Sequence, residues 1–184
     1  MNITPLFALS LLLVAQFAEA RPDINTETYY YIVDGKDAKA IRKDLNEKRQ
    51  GNYDAYTKWS VKWRFFWDKK PDECTINRVT TTVDVKFTLP KLAKDTIANQ
   101  DAQNRWKRYY KALIDHENGH RDYGIKAANE IEEALLNMDS YETCADLEEA
   151  ANALAHDIVD ENIAENKQYD IDTNHGMNDG AVFP

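Results

Sequence analysis

Period-two and period-four hydrophobic patterns divide most of the chain. Trp59, Val61, Trp63, Phe65 and Trp67 alternate with Ser60, Lys62, Arg64 and Asp68. Such alternation predicts a strand with one aromatic face. A polar turn over residues 68–73 contains Pro71, and a second alternation follows. Val79, Thr81, Val83, Val85, Phe87 and Leu89 share one side, with Thr80, Thr82, Asp84, Lys86 and Thr88 on the other. The two runs predict an antiparallel hairpin whose apolar face needs a cover, with Pro90 ending its second strand. Upstream, Thr28 to Val33 predicts a short strand, and Asp37 can cap a helix to about Arg49 that buries Ala40, Ile41 and Leu45.

From about Asn99 the spacing becomes helical. Trp106, Tyr109 or Tyr110, Leu113, Glu117, His120, Gly124, Ala127, Ile131 and Leu135 recur at steps of three and four up to about Asn137. A second long helix is expected from about Glu142 to Asn166, with Leu147, Ala151, Leu154 and Ile158 inward, and Tyr169 to Pro184 reads as loop. The expected fold is α+β: an antiparallel sheet packed on two long helices.

The chain's 184 residues suit one domain with a sizeable core. Its net charge of −9 argues against nucleic-acid partners and anionic membranes, both of which select basic surfaces. Residues 1–20 are of another kind. The apolar run Leu6 to Ala18 is too short to serve as a permanent membrane anchor. It ends at Ala18, Glu19 and Ala20, a small-x-small pattern, and so reads as a signal peptide ahead of a mature domain at 21–184. Export to the periplasm or beyond makes the cysteine count informative. Two cysteines, Cys74 and Cys144, read as one disulfide rather than as zinc ligands, for which a C-x-x-C spacing is missing.

The chemistry lies in the first long helix, where His116 to His120 read H-E-x-x-H. Histidines four apart share a helix face and can reach one metal ion, while Glu117 can take a proton from a water that the ion polarises. A zinc hydrolase needs a third protein ligand. The metzincin extension fails, because Tyr123 and Lys126 stand where Gly and His are required. Glu148 or Glu161 could serve from the second helix, although nothing around either singles it out. His156 falls on that helix's polar side, in line with Asn152 and Asp160. His175, in a glycine-bearing tail that can be laid over the helix, is the better candidate. Asp170, Asp172 and Asp115 are candidates to back the histidines, and Tyr169 or Tyr123 to stabilise an oxyanion, although packing explains each tyrosine more simply. Asp170, Asp172 and Asn174 imitate the start of a calcium loop, but His175 replaces its turn glycine and Ala181 its final glutamate. Trp59, Trp63 and Trp67 could offer a substrate platform, yet their spacing favours core.

Taken together, the Trp59 strand, the Cys74 turn into a strand ending at Leu89 and Pro90, Trp106 ahead of the H-E-x-x-H, Cys144, and Tyr169-Asp170-x-x-Thr173-x-His175-Gly176 are distinctive. In these the chain resembles a bacterial family of predicted secreted zinc-dependent proteases, catalogued as a domain of unknown function. The resemblance implies that His116, His120 and His175 bind zinc, that Glu117 is catalytic, and that Cys74 pairs with Cys144. The expectation is an exported zinc metallopeptidase acting on protein or peptide. A non-catalytic zinc-stabilised envelope module and a zinc hydrolase of cell-wall amides are the alternatives.

Overall fold

The computed structural model describes residues 21–94 and 98–184, so the expected signal peptide lies outside the described residues. In chain order the elements are β1 (Asp23–Val33), α1 (Ala38–Lys48), β2 (Tyr56–Lys70), β3 (Glu73–Leu92), α2 (Gln100–Leu136) and α3 (Cys144–Thr173), then a single 3-10 turn, Met177–Asp179. The architecture is α+β, with α2 and α3 packing on a three-stranded sheet.

Strand order is β1-β3-β2. The expected antiparallel hairpin forms, with Trp59 opposite Val85, Val61 opposite Val83 and Trp63 opposite Thr81. The sheet is mixed rather than antiparallel throughout. β1 joins the far edge of β3 in parallel, from Asp23 opposite Thr82 to Val33 opposite Leu92. Pro90 does not end β3, which continues to Leu92. β2 begins opposite Thr88, so Pro90 lies beyond the reach of that neighbour and its missing N–H breaks no bond on that flank.

A register shift at Phe66 and Trp67 pairs them with Arg78 and Ile76, leaving Asn77 as the extra residue. On β3 the inward set therefore changes from Val79 to Ile76 and Cys74, both buried. Cys74 thus faces the start of α3 and forms a disulfide with Cys144. No helix among the described residues is long and apolar enough to cross a membrane, and the disulfide is consistent with a periplasmic or extracellular protein.

The caps of α2 are the asparagines that bounded its pattern: Asn99 accepts from the Ala102 N–H, and Asn137 closes the other end. α3 outruns the expectation by about two turns, so the tail is helical as far as Thr173. Its buried positions Leu147, Ala151 and Ala155 give way to buried Asn162, then to Asn166 and Asp170 at the same four-residue step. The inward stripe turns polar while the helix continues, so hydrophobic periodicity gave no sign of the last turns.

The core has two parts. One gathers Val33, Ile41, Leu45, Phe87, Trp106 and Tyr109; the other gathers Ile76, Val79, Ile131, Leu135, Leu147 and Ala151. Between them the buried face of α2 carries His116, Glu117 and His120.

Candidate metal centre

Helix α2 comes close to β2 because Gly124 has no side chain; a Cβ there would meet the Trp59 side chain at 3.0 Å. One turn earlier, His116 and His120 are buried, with relative exposures of 4% and 6%. Their Nε2 atoms lie 3.1 Å apart. The Asp170 Oδ1, on the last turn of α3, is 3.3 Å from His116 Nε2 and 3.2 Å from His120 Nε2. His116, His120 and Asp170 form a group that can hold a metal ion. The near-equal separations of their donor atoms match neighbouring ligands bonded at about 2.0–2.1 Å to one tetrahedral centre. Two imidazoles and a carboxylate are also a donor set that zinc uses.

The histidines are set up for that role. Nδ1 of His120 lies 2.8 Å from the Asn166 side-chain oxygen and donates to it, which leaves Nε2 as the lone pair facing the group. Burial above all, and then the nearby His120, lowers the pKa of His116, with Asp170 opposing, so the neutral form that ligates is favoured. Nδ1 of His116 is buried without a hydrogen-bond partner among the described residues.

His175, the expected third ligand, is placed one step out. Its Nδ1 is 3.0 Å from Asp170 Oδ1, its Nε2 is 2.8 Å from the Tyr53 hydroxyl, and its ring stacks on Tyr53. It does not join the His116, His120 and Asp170 group. The backbone explains the placement. Asn174, His175 and Gly176 all have positive φ (49°, 53° and 76°), which reverses the chain at the end of α3 and folds the imidazole back onto Asp170. Only glycine fits the last of these positions, because a Cβ on Gly176 would lie 2.8 Å from His116 Cγ.

Glu117 is buried at 3% exposure, and its Oε2 accepts a 2.5 Å hydrogen bond from the Thr57 hydroxyl at the start of β2. Burial pushes its carboxyl upward in pKa, while Thr57 and His120 pull it down. Glu117, Thr57, the histidines and Asp170 line one cleft of about 470 Å³. Its remaining walls include the run Asn52 to Ala55, Arg42 on α1 and Arg49 at its C-cap, and Phe183.

Other candidates lie elsewhere. His156 is exposed and meets Trp63 edge-on. Glu148 is exposed, and Glu161 lines a separate groove between α2 and α3. Asp115 pairs with Lys111, and Asp172 accepts from Gln168, so of the three acids only Asp170 backs the histidines. Because Asp170 and Asp172 are helical, no calcium-type loop forms. None of the three strand tryptophans lines the cleft. Tyr169 packs instead: its ring stacks on His116, stands edge-on to His120, and lies over Gly119, where a Cβ would sit 2.6 Å from its Cζ. Thr57, Asn166, Gly119 and Tyr53 carried no recognisable signal in the sequence.

The fold and site together define an α+β domain with a His, His and Asp group that could hold a metal ion between its two long helices. The family model described as "Bacterial protein of unknown function (DUF922)" matches residues 28–176, and the chain belongs to that family. No curated protein and no solved structure matches it.

Proposed function

We propose that this chain is an exported zinc-dependent metallopeptidase. The observation that carries the reading is the convergence of His116, His120 and Asp170 beside buried Glu117 in one cleft. His116 and His120 hold the ion with Asp170, and His175 braces that carboxylate from behind. When bound, zinc supplies Lewis acidity, which polarises a carbonyl and makes water nucleophilic at neutral pH.

The rest belongs to the chain. Thr57 anchors one Glu117 oxygen and so aims the other into the cleft. Glu117 takes the proton of the attacking water and passes it to the leaving amine. Burial raises its proton affinity toward the range in which both transfers are feasible. Asn166 holds the His120 tautomer, and Tyr169 holds the His116 ring plane. The signal-like segment 1–20 and the disulfide support export, to the periplasm or the medium.

A non-catalytic reading, in which the ion only fastens the tail, draws on the reversed segment at Asn174 to Gly176. Metal analysis of the mature protein, paired with a broad library of peptides and cell-wall peptide amides, separates the two. The expected result is zinc in both wild type and Glu117→Gln, with hydrolysis by wild type and a loss of about 10²–10⁴-fold in the variant. Full hydrolysis by Glu117→Gln, or a purified protein without affinity for zinc, would refute the proposal.

A further inference from the structure

The part of the cleft bordered by Arg42, Arg49 and Asp54 is built around a carboxylate with more cation than it uses. Asp54, whose side chain is 12% exposed, accepts from Arg42 Nη1 at 3.0 and 2.8 Å and from the Tyr109 hydroxyl at 2.8 Å. The Tyr31 hydroxyl donates to its main-chain oxygen at 2.6 Å. Arg42 alone balances the charge of Asp54. Arg42 is likewise committed, since its Nε donates to the Phe183 carbonyl at 3.1 Å.

Arg49 is the surplus. Its single contact with Asp54 is the longest of the set, 3.3 Å from Nη1, and its Nε and Nη2 have no partner among the described residues. Its side chain is 29% exposed and borders the cleft. Nor is it needed as the charge that suits a helix C-terminus. Lys48 already does that, donating to Asp44 and to the Ile32 carbonyl at 2.8 and 2.9 Å. A planar fork with open donors, in a cleft that Asn52 and Tyr56 also line, is suited to receiving a carboxylate. The whole chain carries −9, so this local positive charge runs against the protein's general field.

We infer that Arg49 forms a substrate subsite for a carboxylate, so that the cleft prefers peptides bearing one on the segment that reaches the Arg42 and Asp54 part. The inference rests on the peptidase reading. The carboxylate comes from a free C-terminus or from an acidic side chain, and the test separates these sources.

Binding is measured by fluorescence polarisation on zinc-loaded Glu117→Gln protein with rhodamine-labelled peptide mixtures in matched pairs. One pair differs as C-terminal acid against amide, the other as internal Glu against Gln with both C-termini amidated. One pair or the other shows tighter binding of the acidic member, by about 10-fold or more. Adding Arg49→Gln brings that ratio close to unity and leaves binding of the neutral members unchanged. A preference that survives Arg49→Gln overturns the inference, as does the absence of any preference, including the case in which no peptide binds. Should Arg49→Gln fail to fold, Arg49→Lys carries the test: it keeps the charge without the fork, cuts the ratio several-fold, and an undiminished ratio overturns the inference. The readout needs no turnover. Failure of the peptidase reading shows as hydrolysis by Glu117→Gln or as lack of zinc affinity, whereas failure of the subsite shows in the peptide-binding measurement, on protein that holds zinc and does not hydrolyse.

Discussion

Gly119→Ala sets two effects against each other. In a helix interior, replacing Gly with Ala ordinarily stabilises by roughly 0.8–1.0 kcal/mol. Here the added methyl would lie 2.6 Å from Tyr169 Cζ and 2.8 Å from Cε1, and closer still to the hydroxyl. The ring must retreat by most of an ångström. Overpacking of this kind costs roughly 1–3 kcal/mol, so the sign of the expected gain reverses and the protein loses between about 0 and 2 kcal/mol. The retreat also unseats the stacking on His116 and disturbs Asp170, the next residue along the chain. Zinc affinity should then fall by about 10–100-fold, as when supporting contacts of a metal site are lost. Urea denaturation of the metal-free protein and chelator competition measure the two quantities. Tyr169→Ala in the Gly119→Ala background relieves the clash, so the double-mutant cycle should show a favourable coupling. A Gly119→Ala protein stabilised by the full helix increment, with unchanged zinc affinity, would refute the reasoning.

Other outcomes follow from the same geometry. Asp170→Asn should abolish tight zinc binding, whereas His175→Ala, acting through Asp170, should weaken it by about 10–100-fold in chelator competition; equal loss in both would make His175 a ligand in its own right. Replacing Cys74 and Cys144 with alanine opens a loop of sequence separation 70, at a cost of about 4 kcal/mol on the chain-entropy model, read from urea midpoints. Burial first, and Asp54 second, raise the hydroxyl pKa of Tyr31 and Tyr109. Tyrosines of the unfolded chain ionise near about pH 10, so the folded state retains protons that the unfolded chain releases, and stability present below that pH falls as pH rises above it. Tyrosinate absorbance should therefore rise together with unfolding, and Tyr109→Phe should flatten the alkaline decline.

How much of this was legible depended on which face of each element was apolar. β2 and β3 alternate cleanly because one side packs on helices, and the Asn99 and Asn137 caps bounded a stripe that stays buried throughout α2. β1 is exposed along most of its length, so little in its pattern selected a parallel partner or its register. The extra residue at Asn77 shifted the inward set without any glycine or proline to mark it. In the site, His116, Glu117 and His120 were visible because four-residue spacing on one helix is a local property. Asp170 was visible only as a supporter of the histidines, since its place beside them depends on two turns of α3 whose inward residues are polar. The roles of Gly119 and Thr57 arise from contacts across the fold, with Tyr169 and Glu117, and no spacing within the chain encodes those.

Helix α3 is fastened at its first residue by Cys144 and delivers its carboxylate twenty-six residues later. That is a lever about 39 Å long. A swing of about one degree at the fastened end would carry Asp170 sideways by roughly 0.7 Å, several times the tolerance of about 0.2 Å in a metal–ligand distance. Alignment therefore has to be held along the shaft, where Ala151 and Ala155 bed down against Ile131 and Leu135. Oxidation of the cysteine pair fixes the pivot, and the small side chains along the shaft set the angle at which the far oxygen is presented.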